Sequence, residues 1–431
     1  LKNKQFYQFV IPSIGAMLVT GLYFVVDGIF VGRGVGTSAL AAINIAVPFI
    51  SILTAVSMMI TIGGATITSI HFGKGEKAEA NNTFRLSVLM VLAFSFTMTV
   101  ISFLFSENLA KILGASDLLL KDTADYIQYF VMFGIFFCGS TTLSAFVRND
   151  NNPRLAFWGM IVGAVSNVFL DWLFIYPLKM GLVGAAVASG LGQVLACLVL
   201  STHFIRKKGE LIIAFPKLSK PLAFQIIKTG IPEFITQMSQ PVTILCYNFI
   251  VLKAFGEIGV SAFSVISYIL VVVVGVFIGL AQGIQPLLSR SFGEGEKEKE
   301  QYFFRKGLRL NIFLAAIIYV IMLSFGKGII SIFNNSTELI ELGYECIKVY
   351  GICFIFAAAN IVYTIYYLAT KRTKQAVIFS VLRSFIANSI FIFLMPALFG
   401  EQAIWTGMIV AEALVLVIAL LISRSKRSVT Q

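Results

Sequence analysis

His71-Phe-Gly-Lys-Gly-Glu-Lys-Ala-Glu79 returns 220 residues later as Ser291-Phe-Gly-Glu-Gly-Glu-Lys-Glu-Lys299. The same shift carries Pro12 onto Pro232 and Arg85 onto Arg305, and a shift of 221 brings Asn167 onto Asn388. Hydropathy has no say in a polar loop, so the shared Phe-Gly-x-Gly-Glu-Lys string marks a duplicated chain rather than two apolar stretches that look alike. Long apolar runs flank both copies. Of the 431 residues 58% are hydrophobic and 13% charged, against about 25% charged in soluble domains. That is the composition of a polytopic membrane protein.

Hydropathy predicts twelve spans, at about 10–32, 44–70, 84–105, 126–148, 156–177, 182–204, 231–252, 260–289, 304–325, 344–369, 376–399 and 402–423. The first apolar run, Val10–Val31, holds 22 residues. At about 1.5 Å per residue it measures roughly 33 Å, a full crossing rather than a short cleavable signal. The N-terminus and the even-numbered loops carry 25 Lys and Arg, among them Arg424, Lys426 and Arg427, and the other loops only seven. By the positive-inside rule both termini are expected in the cytoplasm. The net charge of +12 is therefore a topology signal, and no nucleic-acid partner is expected. A basic cytoplasmic face also suits anionic lipid headgroups.

Six spans per half is an even number, so the halves are expected as parallel repeats about a pseudo-two-fold axis along the membrane normal. The expected layout is an N-lobe at 1–204, a cytoplasmic linker at 205–229 containing Pro216 and Pro221, a C-lobe at 230–423 and a cytoplasmic tail at 424–431. Such repeats favour a transporter whose halves rock about a central cavity. The major facilitator architecture shares the arrangement, but its usual Gly-x-x-x-Asp-Arg/Lys-x-Gly-Arg string after span 2 is absent.

Ionisable groups inside a membrane are costly and seldom face lipid. Asp27 interrupts the first span within Phe24-Val-Val-Asp27-Gly-Ile-Phe-Val-Gly32, and Asp171 lies in span 5. Tyr23 stands four residues before Asp27, and Asn167 four before Asp171, so each pair shares one helix face. Counted from the outer ends of their spans, Asp27, Asp171 and Ser189 of span 6 fall in one layer of the outer half. Carboxylate, amide and hydroxyl oxygens converging on one level suit a small hard cation such as Na⁺. Two neighbouring acids in a poorly solvated site also resist being charged together, so one could carry a proton. A hydrogen-bonded clamp between spans 1, 5 and 6 is the structural alternative.

With these residues in place, the chain resembles the multidrug and toxic compound extrusion (MATE) transporters of the multidrug/oligosaccharidyl-lipid/polysaccharide exporter superfamily. The resemblance covers all twelve spans. It is carried by Pro12, Phe24-Val-Val-Asp27 with Phe30-Val-Gly32, Ala39-Leu-Ala-Ala42, Pro48, the Phe72-Gly-Lys-Gly75 loop, Asn167-Val-Phe-Leu-Asp171 and Gly184-Ala-Ala-Val-Ala-Ser189. It implies that Asp27, Asn167, Asp171 and Ser189, with the Ala185 carbonyl, form an N-lobe site for Na⁺ or H⁺. Ser189 stands where relatives have Thr, which keeps the oxygen. The resemblance further implies export of bulky, amphipathic, often cationic compounds from a prokaryotic cell, driven by inward Na⁺ or H⁺, with no other cofactor.

The second half departs from the first. Asp27 maps onto Tyr247 and Asp171 onto Ile392, and Gln240 stands where some relatives carry a C-lobe acid. This half has instead Glu233, Arg383 in span 11 and Glu412 in the middle of span 12. Arg383 and Glu412 are candidates for an ion pair or, with Tyr23, for the wall of a substrate cavity. A lipid-linked precursor flippase of the same superfamily is the runner-up, but it is expected to line its cavity with several cations. A membrane-embedded enzyme is less favoured, because no Ser/His, Cys/His or His-cluster pattern appears. Two histidines, His71 and His203, and five cysteines without metal or disulfide spacing offer little for a metal centre. A monomer is expected.

Overall fold

The structure, a computed structural model, describes residues 2–333 and 336–425. Lys426 and Arg427, counted in the charge balance, and the expected tail beyond Ser425 lie outside the described residues. The first half runs through α1 (Lys2–Gly34), α2 (Thr37–Lys74), α3 (Lys77–Ile112), the pair α4 (Leu120–Met132) and α5 (Gly134–Asn149), α6 (Pro153–Ile175) and α7 (Gly181–Ile205). The second half runs through α8 (Lys220–Glu294), α9 (Lys297–Ser331), the pair α10 (Thr337–Tyr350) and α11 (Cys353–Ala369), and α12 (Thr373–Val381). One π-helical turn, Leu382–Ala387, leads from α12 into α13 (Asn388–Phe399), and a short 3₁₀ turn precedes α14 (Gly407–Ser425).

Among the described residues nine helices are long and apolar enough to cross a membrane, and two bent pairs, α4–α5 at 47° and α10–α11 at 51°, each make a further crossing. Helix α8 has 75 residues, roughly 110 Å and far beyond one bilayer. It breaks at Gly256, whose φ of 62° and ψ of −157° leave helical space. Counted as two arms, α8 completes the twelve predicted spans. The chain is thus an all-helical, multi-pass membrane protein. Helix α1 extends back to Lys2, and α8 already begins at Lys220, inside the segment expected as linker at 205–229.

The duplicated loop now has a physical reason. In both copies its second glycine, Gly75 or Gly295, adopts a left-handed conformation with φ of 78° or 74° and ends the helix. There Gly75 N–H donates to the Phe72 carbonyl and Glu76 N–H to that of His71, a pattern repeated by Gly295, Phe292, Glu296 and Ser291. Glycine takes that conformation without a Cβ penalty. The first glycine serves contact instead. A Cβ on Gly73 would stand 2.1 Å from the Arg290 carbonyl oxygen, and one on Gly293 would stand 2.2 Å from that of Ile70. The ends of α2 and of α8 therefore cross backbone to backbone at the pseudo-two-fold axis, on the face rich in Lys and Arg.

The same device seals the seam between the halves. Gly283 packs on Val10, Gly279 on Ile14 and Gly21 on Val272, so α1 lies along the second arm of α8. Gly63 packs on Ile226 and Gly230 on Met59, joining α2 to the first arm. Helices in a bilayer associate through such close approach, because lipid supplies no hydrophobic drive between them.

The linker is strapped to the first half. Asn81 exchanges hydrogen bonds with the backbone of Glu210 (2.9 Å) and Ile212 (2.8 Å), and Asn82 with both groups of Lys217 (3.3 and 2.7 Å). Arg85 Nε donates to the Ile212 carbonyl at 2.8 Å. The buried Asp150 carboxylate accepts from Glu210 N, Leu211 N and His203 Nε2. His203 is thereby a buried tie for the linker.

Candidate functional site

Three helices deliver the polar layer, each through residues one turn apart: Tyr23 and Asp27 on α1, Asn167 and Asp171 on α6, Ala185 and Ser189 on α7. Asn167 Nδ2 donates to Ser189 Oγ at 3.1 Å. The Tyr23 hydroxyl meets Ser189 and lies in the field of both acids. The carboxyl groups of Asp27 and Asp171 adjoin one another. Asp171 is fully buried, Asn167 and Ser189 nearly so, and Asp27 half-buried. The depth reading is thus realised as contact, with Ala185 buried one turn before Ser189 on the same helix.

The hydrogen-bond account of this layer does not close. Asp27 Oδ1, Asn167 Oδ1 and both oxygens of Asp171 are buried without a hydrogen-bond partner. Each such group costs about 1–3 kcal/mol, and more when charged. Four of them in one layer need a hydrogen-bond donor or a positive charge to join them. A proton shared by the acids would do so, and so would a small cation held by carboxylate, amide and hydroxyl oxygens. Among the described residues no group of three His, Cys, Asp or Glu side chains could hold a metal ion. Two carboxylates supply a charge of at most −2, which a proton and one monovalent cation together would neutralise.

One neighbour escaped the sequence reading. Tyr126 of α4 is 7% exposed and lies in the field of Asp27, Tyr23 and Asp171. It has no charge and no nearby motif to mark it. The depth count would have found it, since residue 126 opens span 4 at the outer level.

The second half answers the same positions differently. Arg383, on the π-helical turn, donates through Nε to Glu412 Oε1 at 2.8 Å and Oε2 at 3.1 Å. Asn360 Nδ2 donates to Glu412 Oε2 at 2.6 Å and to the Glu412 carbonyl at 2.8 Å. Glu412 is 1% exposed and Arg383 15%. A shift of 220 relates Arg383 to Gly163. In the first half Gly163 packs against α7: a Cβ on Gly192 would stand 2.8 Å from the Gly163 carbonyl oxygen. The same shift relates Asn360 to Ser140, whose hydroxyl bonds Gln193 at 2.6 Å. At Arg383 the second half thus carries one member of an ion pair where the first half packs a glycine. Arg383 does not reach out toward the membrane surface. Glu233 is met by Gln237 Nε2 at 2.9 Å.

The MatE family model matches residues 12–173 and 232–394, two segments that begin at the repeated prolines. The chain is similar to the multidrug export protein MepA of Staphylococcus saprophyticus, 23% identical over 421 residues, 97% of this chain and 93% of that protein. It is similar also to MepA of Staphylococcus haemolyticus, 22% identical over 427 residues, 99% of this chain and 94% of that protein. Among solved structures, the outward-facing conformation of a multidrug resistance MATE family transporter of the MOP superfamily superposes with a TM-score of 0.94. That comparison has 19% identity and covers 99% of this chain and 96% of the other. A MOP superfamily transporter from Pyrococcus furiosus, whose binding pocket is described as reversed in polarity, gives a TM-score of 0.91 at 20% identity. It covers 99% of this chain and 96% of the other.

Proposed function

We propose, because the chain belongs to the MatE family of multidrug and toxic compound extrusion transporters, that it is a secondary active antiporter exporting amphipathic, often cationic compounds in exchange for Na⁺ or H⁺. The observation that carries this reading is the set of four buried, unpartnered oxygens contributed by Asp27, Asn167 and Asp171. Ser189 and the Ala185 carbonyl complete the donor set in this reading. The export of several drugs follows the printed role of the MepA relatives.

In this reading the basic face lies in the cytoplasm of a prokaryotic cell, by the positive-inside rule, and the protein works as a monomer. The close crossing of Gly73 and Gly293 then shuts the cytoplasmic side, while the ion layer lies in the outer half. An ion reaching that layer neutralises the acids and draws α1, α6 and α7 together. It changes which side the cavity faces only by as much as it prefers one lobe arrangement to the other. Tyr23 belongs with the ion layer. The satisfied Arg383–Glu412 pair supports a structural role for both rather than a place in the drug-binding wall.

The decisive measurement is drug movement in proteoliposomes under a Na⁺ gradient and a pH gradient applied separately. One gradient should drive uptake of a cationic dye, with matching ion flux in the opposite direction. Dye movement indifferent to both would overturn the antiport reading.

A further inference from the structure

A groove of about 930 Å³ opens on the basic face beside the first turns of α9. Four cations line it, Lys297, Arg305, Lys306 and Arg309, against a single acid, Glu298. The Lys306 ammonium is already engaged, standing 4.6 Å from the ring centre of Phe6 and 4.2 Å from that of Tyr7. Arg305 and Arg309 are exposed, and among the described residues neither has a carboxylate within ion-pair distance.

The equivalent face of the first half is built differently. A shift of 220 relates Asn82 and Arg85 of α3 to Tyr302 and Arg305 of α9. In the first half that face is covered, since Asn82 and Arg85 hold the linker backbone at Lys217 and Ile212. In the second half Tyr302 meets Asn3 of α1 through its hydroxyl at 3.1 Å, while Arg305 and Arg309 stay exposed. The composition has changed accordingly: Leu86 and Leu89 correspond to Lys306 and Arg309. From Arg424 on, the sequence carries Arg424, Lys426 and Arg427, a charge that does not complement the groove.

Position along α9 selects the occupant. Arg305, Arg309 and Phe313 recur every four residues and so form one stripe, with Leu310 beside it. The cations stand at the start of the predicted span, where headgroups lie, and Phe313, 59% exposed, stands one turn deeper, where acyl chains begin. Guanidinium forks match phosphate oxygens in paired hydrogen bonds, and basic pockets at this level suit anionic headgroups. We propose that the groove binds an anionic phospholipid of the adjacent leaflet, its phosphate held by Arg305 and Arg309 and its chain laid against Leu310 and Phe313. Because Lys306 touches Phe6 and Tyr7, the lipid also steadies the start of α1, the helix that carries Asp27. The inference requires the membrane location of the fold and is independent of the antiport reading.

The test compares the full-length protein with Arg305→Gln/Arg309→Gln and with Lys207→Gln/Lys208→Gln, which removes two exposed charges from the linker on the same face. Thermal unfolding and native mass spectrometry are read in micelles of phosphatidylcholine alone, with added phosphatidylglycerol, or with inorganic phosphate. Phosphatidylglycerol should raise the melting temperature of the wild type and the linker variant and stay bound to both. The α9 variant should lose that rise and most of the bound lipid, while melting like the wild type in phosphatidylcholine. Equal retention by the α9 variant, or equal loss in the linker variant, overturns the site. Equal stabilisation by phosphate or by phosphatidylcholine overturns the choice of an anionic lipid.

Discussion

Asp171 is the residue on which the first-half site turns. Its two carboxyl oxygens are buried without a hydrogen-bond partner, beside the Asp27 carboxyl. Replacing it by Asn removes a buried acid without removing a hydrogen bond that the fold uses. Asp171→Asn is therefore expected to fold and insert as well as the wild type, with a melting temperature unchanged or higher. Gradient-driven export, read as dye efflux in membrane vesicles, should disappear, and the same holds for Asp27→Asn. Normal gradient-dependent efflux by Asp171→Asn removes this pair from the coupling step. Asn167 differs, because its amide nitrogen already donates to Ser189 while its oxygen has no partner.

Among the elements, the paired glycine loops separate two uses of one residue type. Gly73 and Gly293 hold two helix backbones in contact, whereas Gly75 and Gly295 supply only a left-handed turn with open space around it. Gly75→Ala should cost about 1–2 kcal/mol of stability and leave the lobe crossing intact. Gly73→Ala and Gly293→Ala must push α2 and α8 apart, since a methyl group cannot sit 2.1 or 2.2 Å from a carbonyl oxygen. Labelling of single cysteines placed beside the crossing should show it opened in the second pair and closed in Gly75→Ala. Equal labelling in all three variants would falsify the distinction.

For the whole molecule, the halves share a fold and differ in chemistry. The first half keeps unpartnered acids, while the second keeps an acid whose partners are all present. Arg383→Met leaves Glu412 buried and uncompensated and should cost about 3–5 kcal/mol. Arg383→Met with Glu412→Met should be milder than either single change, since neither charge is stranded, and the non-additivity should reach about 0.5–3 kcal/mol. Ion binding measured by calorimetry should survive in the double variant and be lost in Asp27→Asn. The reverse result assigns coupling to the second half.

The sequence by itself determined the membrane location, the twelve crossings, the duplication and the level of Asp27, Asp171 and Ser189. These quantities are one-dimensional: apolar length, charge count, repeat distance and rise per residue convert directly into depth. It also carried the resemblance that named the acids. What a linear count does not hold is the azimuth of each helix, the direction its face points around the bundle axis. Only the tertiary structure decided that Arg383 meets Glu412 across a seam, and that the linker is strapped to α3. Depth follows from the backbone's fixed rise, whereas neighbourhood follows from how closely helices pack, and here glycines far apart in the chain set that distance.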